Sequence, residues 1–398
     1  FTNLPTIIKL AGYNTALIGK YHLGVPFQPQ LAFDHWVTFP HGHTTSFYKN
    51  DVIDRDKTYN FAGHTVDFFT DKTIEYLEHQ AGEEDPFFAF VPFNGPYGHW
   101  PAIKGRPDFE FADLYDTADM HSIPREGLSS EVLDRFGLRV AEGGLREQFK
   151  GPLLLPNNVG SLRNYFAQVS LIDSGVGKIL STLERLNMDE NTIVIYTSDH
   201  GFSLGHNGIW GHGAAAFPSS AHRPSYNIPL IVAGGGVAEN AVNDGFVSQI
   251  DLFPTLASLV EAKDVQPSLP SSARDLGPAL RQEYSCPRDA VFYEQEETRA
   301  IRTRDWVYAM RFQGAPTYPI QNALYRLEDD PNEKTNLSGL AEFTDVEAEL
   351  AAQISTYFES YSDPKYDLWN GGTAKSNVTF QALWQDAWGN DWRPEHST

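Results

Sequence analysis

Residues 191–201 read NTIVIYTSDHG. The β-branched and aromatic run from Thr192 to Thr197 is too short for a typical helix and fits a strand. It breaks at Gly201 in a polar turn where Asp199 and His200 stand side by side. Similar apolar runs occur at 15–20 (TALIGK), 86–94 (PFFAFVPFN) and 227–235 (NIPLIVAGG). Between them, 64–81, 161–186 and 248–262 have helical spacing, with Ser161 as a cap. Near the start, Asn3 and Pro5 open a helix over 6–11 that stops at Gly12. Strands alternating with helices predict an α/β fold: a mostly parallel sheet sandwiched by helices.

After about residue 285 the pattern changes. DAVFYEQEE, TRAIRTRDWVYAMRF and NALYRLEDDPNEKTNL alternate apolar and polar residues, as half-exposed antiparallel strands do, and a helix over 342–360 follows. The expected division is an α/β domain over 1–284, a smaller antiparallel α+β subdomain over 285–360 and a tail over 361–398. The tail holds Trp369, Trp384, Trp388 and Trp392 and reads as a wrapping or oligomer-contact segment. Residues 101–157, rich in Pro, Gly and mixed charge, read as a substrate-side insertion with one helical patch near 129–142.

Hydrophobic residues make up 41% of the 398 and aromatics 13%, enough for sizeable cores. Thirty Lys and Arg face 52 Asp and Glu, a net charge of −22, which argues against nucleic acid and against an anionic membrane surface. An anionic ligand must then be held by local positive charge. The single cysteine, Cys286, allows no intrachain disulfide and no cysteine zinc site. No run approaches the roughly 20 apolar residues of a membrane span. No signal peptide is visible, and the opening FTNLPTIIKLAGYNTALIGK reads as mid-domain sequence.

The chemistry-bearing residues cluster after the strands. Asp199 and His200 offer an oxygen and a nitrogen to a divalent cation; the same tetrapeptide also reads as a turn whose Asp caps a helix. In IGKYHLG (18–24), Lys20 offers a fixed positive charge and His22 a hydrogen bond or proton, or the two are a surface lysine and a packed histidine. NGPYGHWP (94–101) adds His99 and IWGHG (209–213) adds His212. All four segments are expected at the C-terminal edge of one sheet, where α/β folds bind ligands.

LPTIIKLAGYNTALIGKYHLG resembles the second signature of the sulfatase family, and DENTIVIYTSDHGFSLGHNGIWGHG its metal-binding strand and loop. NIPLIVAGGGV with SQIDLFPTLASLVEA is similar to the family's next strand and helix, and ALYRLEDDPNEKTNL to the closing motif of its C-terminal subdomain. The resemblance implies that Lys20 and His22 contact the sulfate and the nucleophile and that His99 contacts the sulfate or the leaving oxygen. It implies that Asp199 and His200 bind Ca²⁺, with Mg²⁺ or Mn²⁺ as alternatives. It implies a sulfuric ester hydrolase acting on a small-molecule or glycan sulfate ester, exported to the periplasm or the exterior. A sulfated carbohydrate is expected from the acidic composition, with Arg125 among the binding residues of the insertion. A phosphonate monoester or phosphodiester hydrolase of the same superfamily is the alternative.

Two departures stand out. His212 occupies a position where the family usually has Lys; Arg223 in the following loop is expected to replace that charge, and a protonated His212 would favour a lower pH optimum. The family's nucleophile is a formylglycine made in a Cys/Ser-x-Pro-x-Arg motif, and no such motif occurs in the sequence; Cys286, in SCPRD, is not a match. The chain therefore reads as a sulfatase beginning after its nucleophile segment, or as a non-catalytic pseudo-sulfatase if the protein starts near Phe1.

Overall fold

The structure is a computed structural model that describes residues 3–42, 46–97, 109–124, 126, 159–212, 218–262, 271–283, 288–317, 320–374 and 378–395. It opens with α1 (Leu4–Leu10), whose N-cap Asn3 accepts from the Thr6 N–H at 2.9 Å. Gly12, at φ +91°, ends it. β1 (Asn14–Ile18) follows and pairs in parallel with β2 (His35–Thr38) on one side and β5 (Phe87–Phe90) on the other. β3 (Tyr48–Asp54) and β4 (Lys57–His64) extend the sheet, giving the order β4-β3-β2-β1-β5.

The central position of β1 explains its composition. Ala16 and Ile18 point into a core with Val37, Phe39, Val52, Phe68, Phe69 and Tyr76. Leu17, between them, points to the opposite face with Tyr21, Phe33, Trp36 and Ile53. The first face is covered by α2 (Thr65–Gln80), against which α3 (Val159–Arg185) packs. Ser161 lies inside the first turn of α3 and does not cap it, because the helix begins at Val159.

The α/β architecture is as expected, and the pairing is more mixed. β3 and β4 are joined by two residues, a connection that can only return antiparallel. β6 (Val194–Thr197) pairs antiparallel with β9 (Leu230–Ala233), and β7 (Ser203–Leu204) with β8 (Trp210–Gly211), each as a separate two-stranded sheet among the described residues. Thus the four site segments do not share one sheet edge. α4 (Arg223–Tyr226) precedes β9, while α5 (Leu252–Leu259) and α6 (Gly277–Leu280) follow it.

The C-terminal sheet runs antiparallel in the order β10 (Val291–Gln295), β11 (Thr298–Arg302), β12 (Trp306–Arg311) and β13 (Ala323–Arg326). Helix α7 (Thr344–Tyr361) covers one face, setting Leu350, Ile354 and Phe358 on Ile301, Tyr308 and Leu324. The alternation suggested that the other face meets solvent. Instead Ala300, Val307, Ala309, Ala323 and Tyr325 pack around Ala221 of the main domain. The polar residues on that side are buried in pairs: Arg311 Nη1 donates to Ser219 O at 2.7 Å, and the Glu297 carboxylate accepts from Ser219 N–H at 2.5 Å. The tail, which contains α8 (Gln381–Trp388), wraps its own subdomain: Trp384, Trp392 and Trp369 gather around Phe312, while Trp388 stays at the surface. Most of 101–157, including the helical patch expected near 129–142, lies outside the described residues. Among the described residues no helix is long and apolar enough to cross a membrane.

Candidate active site

Lys20 sits two residues past β1, and backbone contacts fix it there. Gly19 N–H donates to Val37 O at 2.9 Å, and Lys20 N–H to Pro92 O at 2.7 Å. The backbones approach so closely that a Cβ on Gly19 would stand 2.2 Å from the Pro92 oxygen. Only glycine fits that contact. Past Pro92 the chain turns into Tyr97, whose N–H donates to Gln168 Oε1 at 3.1 Å. The Lys20 ammonium lies 5.8 Å from the centre of the Tyr97 ring, within cation–π range.

Burial pulls the Lys20 pKa below the usual lysine value, and Asp199 opposes that shift. Burial raises the Tyr97 phenol, and Asp199 adds to it. These couplings place the ends of β1, β5 and β6 in one electrostatic neighbourhood, although β6 belongs to a different sheet from β1 and β5. His22 is exposed, with its ring against Gly42: a Cβ there would meet His22 Cδ2 at 1.9 Å. Partial desolvation and then the Lys20 charge lower the His22 pKa.

Asp199 and His200 form the turn after β6. Ser198 Oγ donates to His200 O at 2.8 Å, and Gln249 Nε2 to Ser198 O at 2.5 Å. His200 Nδ1 lies 2.8 Å from Gly201 O; a proton on Nδ1 satisfies that carbonyl and leaves the Nε2 lone pair free. Nε2 is 3.6 Å from Asp199 Oδ2, a spacing that two ligands bound at about 2.3–2.6 Å to one hard cation can adopt. The pair thus fits two positions of a divalent-cation site. Among the described residues no cluster of three or more His, Cys, Asp or Glu completes it.

His212, one residue past β8, stacks on His200 at 3.7 Å between centroids and 15° between planes. Its ring meets Tyr97 edge-on at 6.5 Å and Phe202 at 6.0 Å. The structure therefore brings together Lys20, Asp199, His200 and His212, with His22 beside Lys20. Arg223 is placed differently: its Nε donates to Asn227 Oδ1 at 2.9 Å and its backbone N–H to Glu333 Oε2 at 3.0 Å. His99, Arg125 and Cys286 lie outside the described residues. Sequence reading passed over Tyr97 and Gly42. Tyr97 lies within NGPYGHWP, and nothing local marks Gly42, which meets His22 from 20 positions along the chain.

A sulfatase family model matches residues 1–262. The chain is similar to an N-acetylglucosamine-6-O-sulfatase of Bacteroides thetaiotaomicron, 26% identical, the match covering 90% of this chain and 72% of that relative. Among solved structures it is similar to one in complex with its substrate D-glucosamine-2-N,6-O-disulfate: TM-score 0.66 at 24% identity, covering 90% of this chain and 82% of that one. It is also similar to the phosphonate monoester hydrolase of Agrobacterium radiobacter: TM-score 0.64 at 19% identity, covering 89% of this chain and 79% of that one. At these identities the two solved structures speak for the fold alone.

Proposed function

This chain belongs to the sulfatase family, and from that premise we propose that it hydrolyses a sulfate ester of a carbohydrate. The observation that carries the reading is the convergence of Lys20, Tyr97, Asp199, His200 and His212 from the ends of separate sheets. The sugar is supported by the N-acetylglucosamine-6-O-sulfatase relative.

Cleaving a sulfate ester places negative charge on the peripheral oxygens and on the leaving oxygen. Lys20, partly withdrawn from water, meets that charge where a fixed cation is worth most. His22, beside it, supplies a hydrogen bond or a proton. We assign His212 to the same oxygens, His99 to the leaving oxygen and Arg125 to the substrate; Arg223, bonded to Asn227, is given no substrate contact. The family implies a divalent metal and a formylglycine. A cation held by Asp199 and His200, which we take to be Ca²⁺, would supply further positive charge to the sulfate. The 398 residues contain no match to the formylglycine precursor motif, and the attacking step is assigned to none of them. We take the enzyme to be exported; fractionation of the producing cell tests that.

The fold shared with the phosphonate monoester hydrolase favours a second reading, cleavage of a phosphonate or phosphate diester. Parallel assays decide. Release of sulfate from 4-nitrophenyl sulfate and from N-acetylglucosamine 6-sulfate, abolished in Lys20→Ala, is the expected result. Faster turnover of phenyl 4-nitrophenylphosphonate would replace the reading with the second one. No turnover of any of the three would overturn both and favour the non-catalytic pseudo-sulfatase.

A further inference from the structure

The loop bearing His212 is held at both ends by one residue of the C-terminal subdomain. Glu333 follows β13, in the DDPNEK segment, with its side chain 1% exposed and its backbone at φ +56°. Its carboxylate meets His222 Nδ1 at 3.1 Å, the Arg223 backbone N–H at 3.0 Å and Arg302 Nη1 at 2.6 Å. Its own backbone carbonyl accepts from Asn207 Nδ2 at 3.0 Å. Asn207 Nδ2 in turn stands 2.6 Å from His222 Nδ1. Asn207 and His222 lie five residues before and ten after His212, so Glu333 ties the two stems of this loop together.

The tie continues to the metal-type pair. Beyond Arg223, Ser225 O accepts from Gly201 N–H at 2.9 Å, and a Cβ on Gly201 would stand 2.0 Å from Pro224 O. Gly201 O is the partner of His200 Nδ1. Glu333 thus reaches His212 through Asn207, and reaches His200 through Arg223, Ser225 and Gly201. The two imidazoles at the ends of these routes stack on each other. Both Asn207 (φ +56°) and Glu333 hold left-handed backbone, which a side-chain-bearing residue keeps only where its surroundings over-determine it. Glu297 grips the same loop separately at Ser219, by 2.5 Å and 3.1 Å bonds, so the subdomain contact has an anchor independent of Glu333.

We propose that Glu333 is a positioning residue: from the C-terminal subdomain it sets the stacked His200–His212 pair of the active site, without itself touching substrate. The placement stands on geometry alone; only its catalytic consequence rests on the sulfatase reading.

The test is the imidazole proton spectrum of His200 and His212, assigned by single replacement of each ring. In the wild-type chain mutual stacking displaces these protons upfield. In Glu333→Ala and in His222→Ala more than half of that displacement is expected to vanish. Glu333→Gln, which keeps the shape and loses the charge, should retain an intermediate part. Asp367→Asn, which breaks the buried pair with Arg299 elsewhere in the subdomain, controls for general loosening and should leave the displacement intact. If Glu333→Ala does not fold, Asn207→Ala severs one stem alone and must still shift His212. Unchanged His200 and His212 signals in folded Glu333→Ala, or in Asn207→Ala should it be needed, would overturn the proposal. On a sulfate ester, Glu333→Gln should lower kcat more than it raises KM. A wild-type chain without sulfatase activity would sink the proposed function and leave the spectral result to decide the positioning.

Discussion

The Lys20 backbone N–H donates to the Pro92 carbonyl at 2.7 Å, and that bond ties the end of β1 to the segment leading from β5 to Tyr97. Gly19 makes it possible, since any Cβ there would press to 2.2 Å from the same oxygen. Gly19→Ala is therefore expected to destabilise the protein by about 1–3 kcal/mol, the usual cost of overpacking, and to displace Lys20. Urea unfolding measures the first effect and sulfate-ester turnover the second. Stability within about 0.5 kcal/mol of wild type, the range of ordinary surface changes, would show that the strands can part without cost.

Lys20→Ala removes the cation over Tyr97 without emptying a core. A loss of about 10²–10³ in kcat is expected, the usual scale for one charge-stabilising donor, with little change in melting temperature. The same replacement should raise the His22 pKa, because the Lys20 charge, after desolvation, depresses it. A titration of the His22 ring by NMR checks this. An unchanged His22 pKa in Lys20→Ala would mean that the Lys20 charge does not depress it.

Asp199→Asn weakens the proposed cation site and also removes the charge that opposes the lowering of the Lys20 pKa. Calcium affinity by calorimetry should fall at least about tenfold, the scale of perturbed metal sites. Chelation of the intact enzyme should abolish turnover, and added Ca²⁺ should restore it. Full activity in the presence of a chelator would remove the metal from the mechanism.

His64 caps α2, its Nδ1 accepting from the Val66 N–H at 3.1 Å, with its ring stacked on Phe47 and met edge-on by Tyr48 and Phe109. Burial pulls its pKa from 6.5 down to about 4. A depressed imidazole pKa means that the unfolded chain takes up the proton first. His64 therefore leaves stability intact above pH 6.5 and erodes it as pH falls towards about 4, by about 3 kcal/mol in total. His64→Asn keeps a capping acceptor and removes the titration. Its stability difference from wild type between pH 7 and pH 4.5 should therefore shift in favour of the variant. A parallel decline of the two proteins with pH would refute this.

Much of the fold was legible because it depends on local rules. Asn3 capping α1, the short apolar run that became β1, and the alternation of β10–β13 follow from propensity and period. Two features were misjudged for non-local reasons. The alternation of β11 and β12 suggested one wet face, but the main domain covers it at Ala221, and the polar residues there survive burial by pairing. The β6–β9 pair is antiparallel because its partner choice depends on which strands lie adjacent, which no periodicity records.

The sequence by itself determined the family-like segments and named Lys20, His22, Asp199, His200 and His212, since each sits in a recognisable run of glycines and polar residues just past an apolar stretch. Only the tertiary structure decided that these residues meet from three separate sheets, that Tyr97 lies under Lys20, and that Glu333, 121 positions after His212, ties the loop beneath it. The reason is physical. A strand or a cap is specified by neighbours along the chain, whereas a ring stack or a buried carboxylate clamp is specified by packing between segments that share no local signal.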